Sequence, residues 1–159
     1  MSIPASIEQF VKAFGVPFTP IHHRCAFTAQ EEAAASHVKG REWAKTVVCF
    51  ADDKPVLAVL PAHYQVDIGA LRAMTGARIL RLATEREFAG MYPDCETGAM
   101  APLGPLYRQP VYMDESLSND PEIVFHAGTH VDAIRMRLSD FIRLVRPLVG
   151  RIAIQTTHH

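Results

Sequence analysis

Residues 45–61 read "KTVVCFADDKPVLAVLP". Two runs rich in Val and Leu flank "ADDK", a polar four-residue turn, which is the pattern of a β-hairpin. Both runs are almost continuously apolar, whereas a strand with one wet face would alternate. The hairpin is therefore expected inside a sheet covered on both faces. One residue breaks the pattern. Lys45 heads the first strand, where Val, Ile or Phe would be the ordinary choice.

Upstream, residues 5–14 put Ile7, Phe10, Val11 and Phe14 on one helical face, ended by Gly15 and Pro17. Residues 18–22 read as extended, and "TAQEEAAASH" as a helix with Thr28 at its N-cap and Glu31 completing a capping box. Downstream come a short helix closed by Gly76, a short strand "ARILRL", and a helix opened by the capping box of Thr84 and Glu87. Residues 90–110 hold too much Gly and Pro for a regular element, and so long a loop in a compact domain is often functional. "PVYMD", "EIVFHAG" and "HVDAIRM" read as strands, and Ser139 as the cap of a last helix shortened by Pro147. Hairpins mixed with helices predict an α+β fold in one domain over residues 1–159. Its central sheet is mixed, largely antiparallel and curled toward a barrel, with helices outside.

Composition bounds the function. The chain is 48% hydrophobic and 21% charged, enough for a sizeable core, with a net charge of −1. A grip on long nucleic acid normally needs a basic excess, so any nucleic-acid partner is touched over a small patch. Cys25, Cys49 and Cys95 are odd in number and far apart, which suggests neither a disulfide framework nor a zinc knuckle. No signal peptide and no apolar run of about 20 residues is visible, so the expected location is the cytoplasm and no membrane partner is expected. No P-loop, G-x-G-x-x-G or G-x-S-x-G motif occurs.

Three features can carry chemistry. Lys45 is either an edge lysine whose stem lies on apolar surface, or a partly buried ammonium that binds a phosphate or carboxylate. The loop "DCETGAMAPLGPL" contains a G-x-x-x-P pattern, Gly98 to Pro102. It is either an ordinary surface loop or an exposed loop whose backbone N–H groups hold an anion or oxyanion. In "FHAGTH", Gly128 marks a turn or kink, and His126 and His130 would stand roughly 13 Å apart on one strand. That spacing argues against a metal site; a histidine beside a pocket and a structural histidine both remain open. His22, His23 and Arg24 form a smaller polar cluster.

These pieces, with "AKTVVCF", "KPVLAVLP", "GAMAPLG" and "FHAGTHVDAIRMRLSDFIRL" in order along most of the chain, resemble the YbaK-like superfamily of aminoacyl-tRNA editing domains. That superfamily is related to the insertion domain of bacterial prolyl-tRNA synthetases. The resemblance implies a trans-acting deacylase, a barrel-like mixed sheet, and no cofactor or metal. Its substrate would be the ester of a mischarged tRNA, Ala- or Cys-tRNA for proline. It implies that Lys45 engages the 3′-terminal phosphate or sugar of the acceptor end. Gly98 and Pro102 would shape the aminoacyl pocket, with the backbone of Ala99, Met100 and Ala101 holding substrate. His130 would follow Gly128 and Thr129 at the site. Water, assisted by the substrate's ribose hydroxyl, would attack the ester. Phe27, Thr28, Val47 and Met100 are pocket candidates, and Arg24, Lys39 and Arg41 are supplementary tRNA contacts. An aminoacyl-tRNA synthetase is a further partner to consider. The rival readings are a non-catalytic binding module of the same fold and a hydrolase of small free esters.

Overall fold

The computed structural model describes residues 3–22 and 43–155. The expected helix over "TAQEEAAASH", and Phe27, Thr28, His23, Arg24, Cys25, Lys39 and Arg41, lie outside the described residues.

Helix α1 (Ala5–Ala13) leads to strand β1 (Thr19–His22), then to the hairpin β2 (Trp43–Ala51) and β3 (Lys54–Pro61). Strand β4 (Tyr64–Val66), helix α2 (Ile68–Thr75), strand β5 (Leu80–Leu82) and helix α3 (Glu85–Ala89) follow. After the Gly/Pro segment come helix α4 (Gly104–Tyr107), strand β6 (Val111–Asp114), a 3-10 turn (Glu115–Asn119), and strands β7 (Glu122–His126) and β8 (Asp132–Arg137). Helix α5 (Leu138–Val145) and strands β9 (Leu148–Gly150) and β10 (Ala153–Gln155) close the chain. The main sheet runs β1-β8-β7-β2-β3-β6-β9, with β5 also on β2; β4 and β10 form a separate pair. Pairs β2–β7, β3–β6 and β6–β9 are parallel and the rest antiparallel, which is the mixed α+β sheet the sequence predicts.

The hairpin is covered on both faces, as its continuous apolar runs require. Val48, Leu57 and Val59 enter the main core with Phe125, Ile134 and Phe141. Cys49, Ala58 and Leu60 enter a second cluster with Leu71 and Ile152. Its turn is tighter than expected: only Asp52 and Asp53 lie outside the strands, both at positive φ (48° and 75°). That matches the primed turns whose twist fits a two-residue hairpin. Asp52 is held there because its carboxylate accepts the N–H groups of Arg78 and Ile79, which also lowers its pKa. Asp53 has no such tie in these bonds, so Asp53→Gly is expected to stabilise the fold by about 0.5 kcal/mol by relieving left-handed strain. Urea unfolding midpoints check this.

Local signals hold at several ends. Gly76 closes α2 at φ 73°, and both halves of the Thr84–Glu87 capping box form on α3. Glu87 also takes a two-pronged bond from Arg81, and that guanidinium holds its carboxyl down at about 2. Other expectations need correcting. Phe14 does not join the buried face of α1: it caps the helix, is exposed, and stacks on Phe10. Ser139 lies inside α5, whose N-cap is Arg137. Strands β4, β9 and β10 have three residues each, too few to show a period in the sequence.

Candidate functional site

Side chains alternate along β2, so Trp43, Lys45, Val47 and Cys49 share one face while Ala44 and Val48 point into the main core. The parallel register sets Trp43 beside Val124 and Ala44 beside Phe125. His126, two residues beyond Val124, therefore joins the Lys45 face, and its ring lies 5.5 Å from that of Trp43. Strand β7 pairs with β2 only at Trp43 and Ala44, and β5 takes over from Cys49. Lys45 thus stands where the neighbours of β2 part.

Lys45 is half-buried, and burial lowers the pKa of its ammonium. Among the described residues no carboxylate pairs with it. Val47, on the same face, is half-buried against the second cluster.

The other half of the site is a clasp between residues 96–99 and residues 128–130. Glu96 N donates to Gly128 O (2.7 Å) and Gly128 N donates to Ala99 O (2.9 Å). The Glu96 carboxylate accepts His130 N at 2.8 Å. His130 Nε2 lies 2.9 Å from Thr97 O. A carbonyl only accepts, so Nε2 carries the proton and Nδ1 of the neutral ring is an acceptor. Gly98 arches over this ring at φ +87°; a Cβ there would sit 3.5 Å from His130 Cε1. The rings of His126 and His130 are 6.0 Å apart, not the 13 Å of a continuous strand. The difference arises because β7 ends at His126 and the chain reverses through Gly128 at φ +93°. Trp43, His126, His130 and Gly98 thus form one run of contacts on the face that carries Lys45.

The structure places several predicted site residues out of contact with solvent. Ala99, Met100, Ala101 and Pro102 are buried, and Met100 and Ala101 belong to the main core, so the loop is exposed only at its Gly98 end. One of its amides is engaged: Ala99 N donates to Glu96 O at 3.0 Å. Thr129 is also buried. Its hydroxyl donates to Asp132 Oδ2 (2.7 Å) and accepts the N–H groups of Val131 and Asp132. His22 Nδ1 donates to the other Asp132 oxygen at 2.9 Å, tying β1 to this turn. Gly128 packs on Pro4.

Sequence reasoning missed Glu96, Trp43 and Asp132. Only Asp132 had a local signal, since "THVD" has the Ser/Thr-x-x-acid spacing of a side-chain-closed turn. A cavity of about 670 Å³ lies against the clasp, lined in part by Ser6, Asp94, Glu96 and Thr129. No group of His, Cys, Asp or Glu suited to a metal ion occurs among the described residues. No helix among them is long and apolar enough to cross a membrane.

The proline–tRNA ligase of Anaeromyxobacter sp. (strain Fw109-5) is 29% identical to this chain over 103 residues, 63% of the chain and 18% of the ligase. Proline–tRNA ligase 1 of Anaeromyxobacter dehalogenans (strain 2CP-C) is 29% identical over 112 residues, 70% of the chain and 19% of the ligase. The chain thus matches less than a fifth of either enzyme's length. A crystal structure described as a candidate trans-editing enzyme for prolyl tRNA synthetase superposes with a TM-score of 0.83 at 21% identity. It covers 96% of this chain and 99% of that one, a likeness of fold. The model of the aminoacyl-tRNA editing domain matches residues 23–144, which take in the hairpin, Lys45 and both arms of the clasp, and the chain belongs to that family.

Proposed function

We propose that this chain is a trans-acting deacylase that hydrolyses the ester of a mischarged tRNA, with Ala- or Cys-tRNA for proline as the first substrates to consider. Residues 1–159 would act as a single domain in the cytoplasm, correcting the product of a prolyl-tRNA synthetase. The observation that carries this reading is the clasp: Gly98 is strapped over His130 on the sheet face that presents the half-buried Lys45.

In this reading the Lys45 ammonium holds the 3′-terminal phosphate or sugar as a point charge. His130 Nδ1 accepts a hydrogen bond from the substrate's hydroxyl or amino group, while Nε2 stays fixed on Thr97 O. The amide of Ala99 is engaged, which leaves those of Gly98, Met100 and Ala101 as the loop's donors for a developing oxyanion. The nucleophile is water, oriented by the substrate's own ribose hydroxyl. Burial supports this by pushing the Cys49 thiol up to about 11 and the Cys95 thiol upward, so neither is a ready thiolate. An activated ester needs less help than an amide, and positioning with oxyanion stabilisation suffices.

The test is release of the amino acid from Ala-, Cys- and Ser-tRNA for proline by purified protein. Turnover of at least one, with correctly charged Pro-tRNA spared, is the expected result. Binding without turnover of any of them would move the chain to the binding-module class. Equal turnover of free aminoacyl esters without tRNA would make it a small-ester hydrolase.

A further inference from the structure

Arg135 lies on β8 opposite Val124 of β7, and Val124 lies beside Trp43 of β2. Side chains paired across strands share a face, so Arg135 stands on the face of Trp43, His126 and Lys45. Two strand spacings and one two-residue step put its Cα roughly 12 Å from that of Lys45. The residue is not exposed, and its Nε is buried with no hydrogen-bond partner. No carboxylate pairs with it among the described residues. The nearest acid along β8, Asp132, is engaged by His22 and Thr129.

Burying the Nε end of a guanidinium with no hydrogen-bond partner, and with no carboxylate beside it among the described residues, costs folding free energy. A group like that is accounted for when a ligand supplies the missing anion, and a planar guanidinium is suited to phosphate. Two cations on one sheet face, at this spacing, can grip neighbouring phosphates of a single strand.

Resting on the deacylase reading above, we propose that Arg135 is a second backbone-phosphate contact. It would hold the unpaired 3′ strand of the tRNA upstream of the nucleotide that Lys45 engages.

The experiment compares wild type, Arg135→Gln and Arg135→Lys in three assays. These are deacylation of mischarged tRNA, binding of uncharged tRNA over a range of salt, and hydrolysis of a 3′-aminoacyl adenosine, which has no upstream phosphate. Arg135→Gln is expected to raise KM for the charged tRNA about tenfold with kcat unchanged. It should lower the slope of log affinity against log salt by about 0.7, the value for one single-strand phosphate. Hydrolysis of the adenosine ester should not change, and the variant should melt no lower than wild type. Arg135→Lys should keep the salt slope and lose part of the affinity.

An unchanged salt slope in Arg135→Gln overturns the proposal. So does an equal loss on tRNA and on the adenosine ester. A fall in Tm that Arg135→Lys restores without restoring the slope assigns the side chain to packing and overturns it too. If wild type hydrolyses neither substrate, the deacylase reading fails by itself, and binding of uncharged tRNA still reads the role of Arg135.

Discussion

Lys45→Ala is expected to lower kcat/KM for deacylation about a hundredfold or more, since truncating one partner of a desolvated charge pair costs a few kcal/mol. Its fold should survive. The ammonium is half-buried without a carboxylate partner among the described residues, so removing it relieves a desolvation cost rather than breaking a bond. The pH dependence follows from the same burial. The group's ordinary value is 10.5 and burial lowers it in the folded chain. Between those two values the unfolded chain binds more protons than the folded one, so stability rises with pH across that window. Activity should move the other way. Only the ammonium attracts phosphate, and tRNA affinity should fall as pH climbs through the lowered value, earlier than for an exposed lysine. Kinetics of wild type and Lys45→Ala from pH 7 to 10, with melting curves alongside, test both signs. If Lys45→Ala deacylates like wild type, the lysine is an edge residue and the phosphate role assigned to it is wrong.

The hairpin and the lysine were legible because both are local. Two almost unbroken apolar runs in residues 45–61 report two covered faces, and a charge that heads them is visible by contrast. The same holds for Gly76 and for the box of Thr84 and Glu87, where a few adjacent residues settle a helix end. The clasp was not legible. The Glu96 carboxylate and His130 N–H are 34 residues apart, and no period or spacing links them. The motifs on either side, Gly98 and "AGTH", could be seen but not joined. The turn or kink expected at Gly128 is there, but the strand spacing set His126 and His130 far apart, because how sharply the chain reverses at Gly128 is not written in the local sequence. The burial of Met100 and Ala101 was hidden for a related reason: a Gly/Pro-rich loop reads as surface until the core beneath it is known.

A large loss of stability is expected for Gly128→Ala. A Cβ there would lie 2.6 Å from Pro4 Cγ and 2.7 Å from Pro4 Cδ, with Ile7 Cδ1 behind at 3.3 Å. Pro4 is the N-cap of α1 and Ile7 is fully buried, so neither can step aside without moving the helix. The backbone also sits at φ +93°, which strains any residue with a side chain. Clash and strain together should cost about 3 kcal/mol, or about 10 °C in Tm for a chain of this size. Gly98→Ala is the matched control. It shares the positive φ (+87°), but its Cβ would meet His130 Cε1 at an ordinary 3.5 Å, so only about 1 kcal/mol should be lost. The two substitutions separate stability from chemistry. Gly128→Ala keeps the backbone groups that bond Glu96 N and Ala99 O, but the clash with Pro4 pushes them out of line and loosens the strap on the loop. Assayed well below its melting point it should still deacylate poorly, because Gly98 is no longer held over His130. Gly98→Ala keeps the strap but crowds the arch, and should lose activity out of proportion to its small change in Tm. A Gly128→Ala protein that melts low yet deacylates normally when folded would show that the clasp supports the fold alone. The site would then have to be built from Lys45 and its sheet face without the loop.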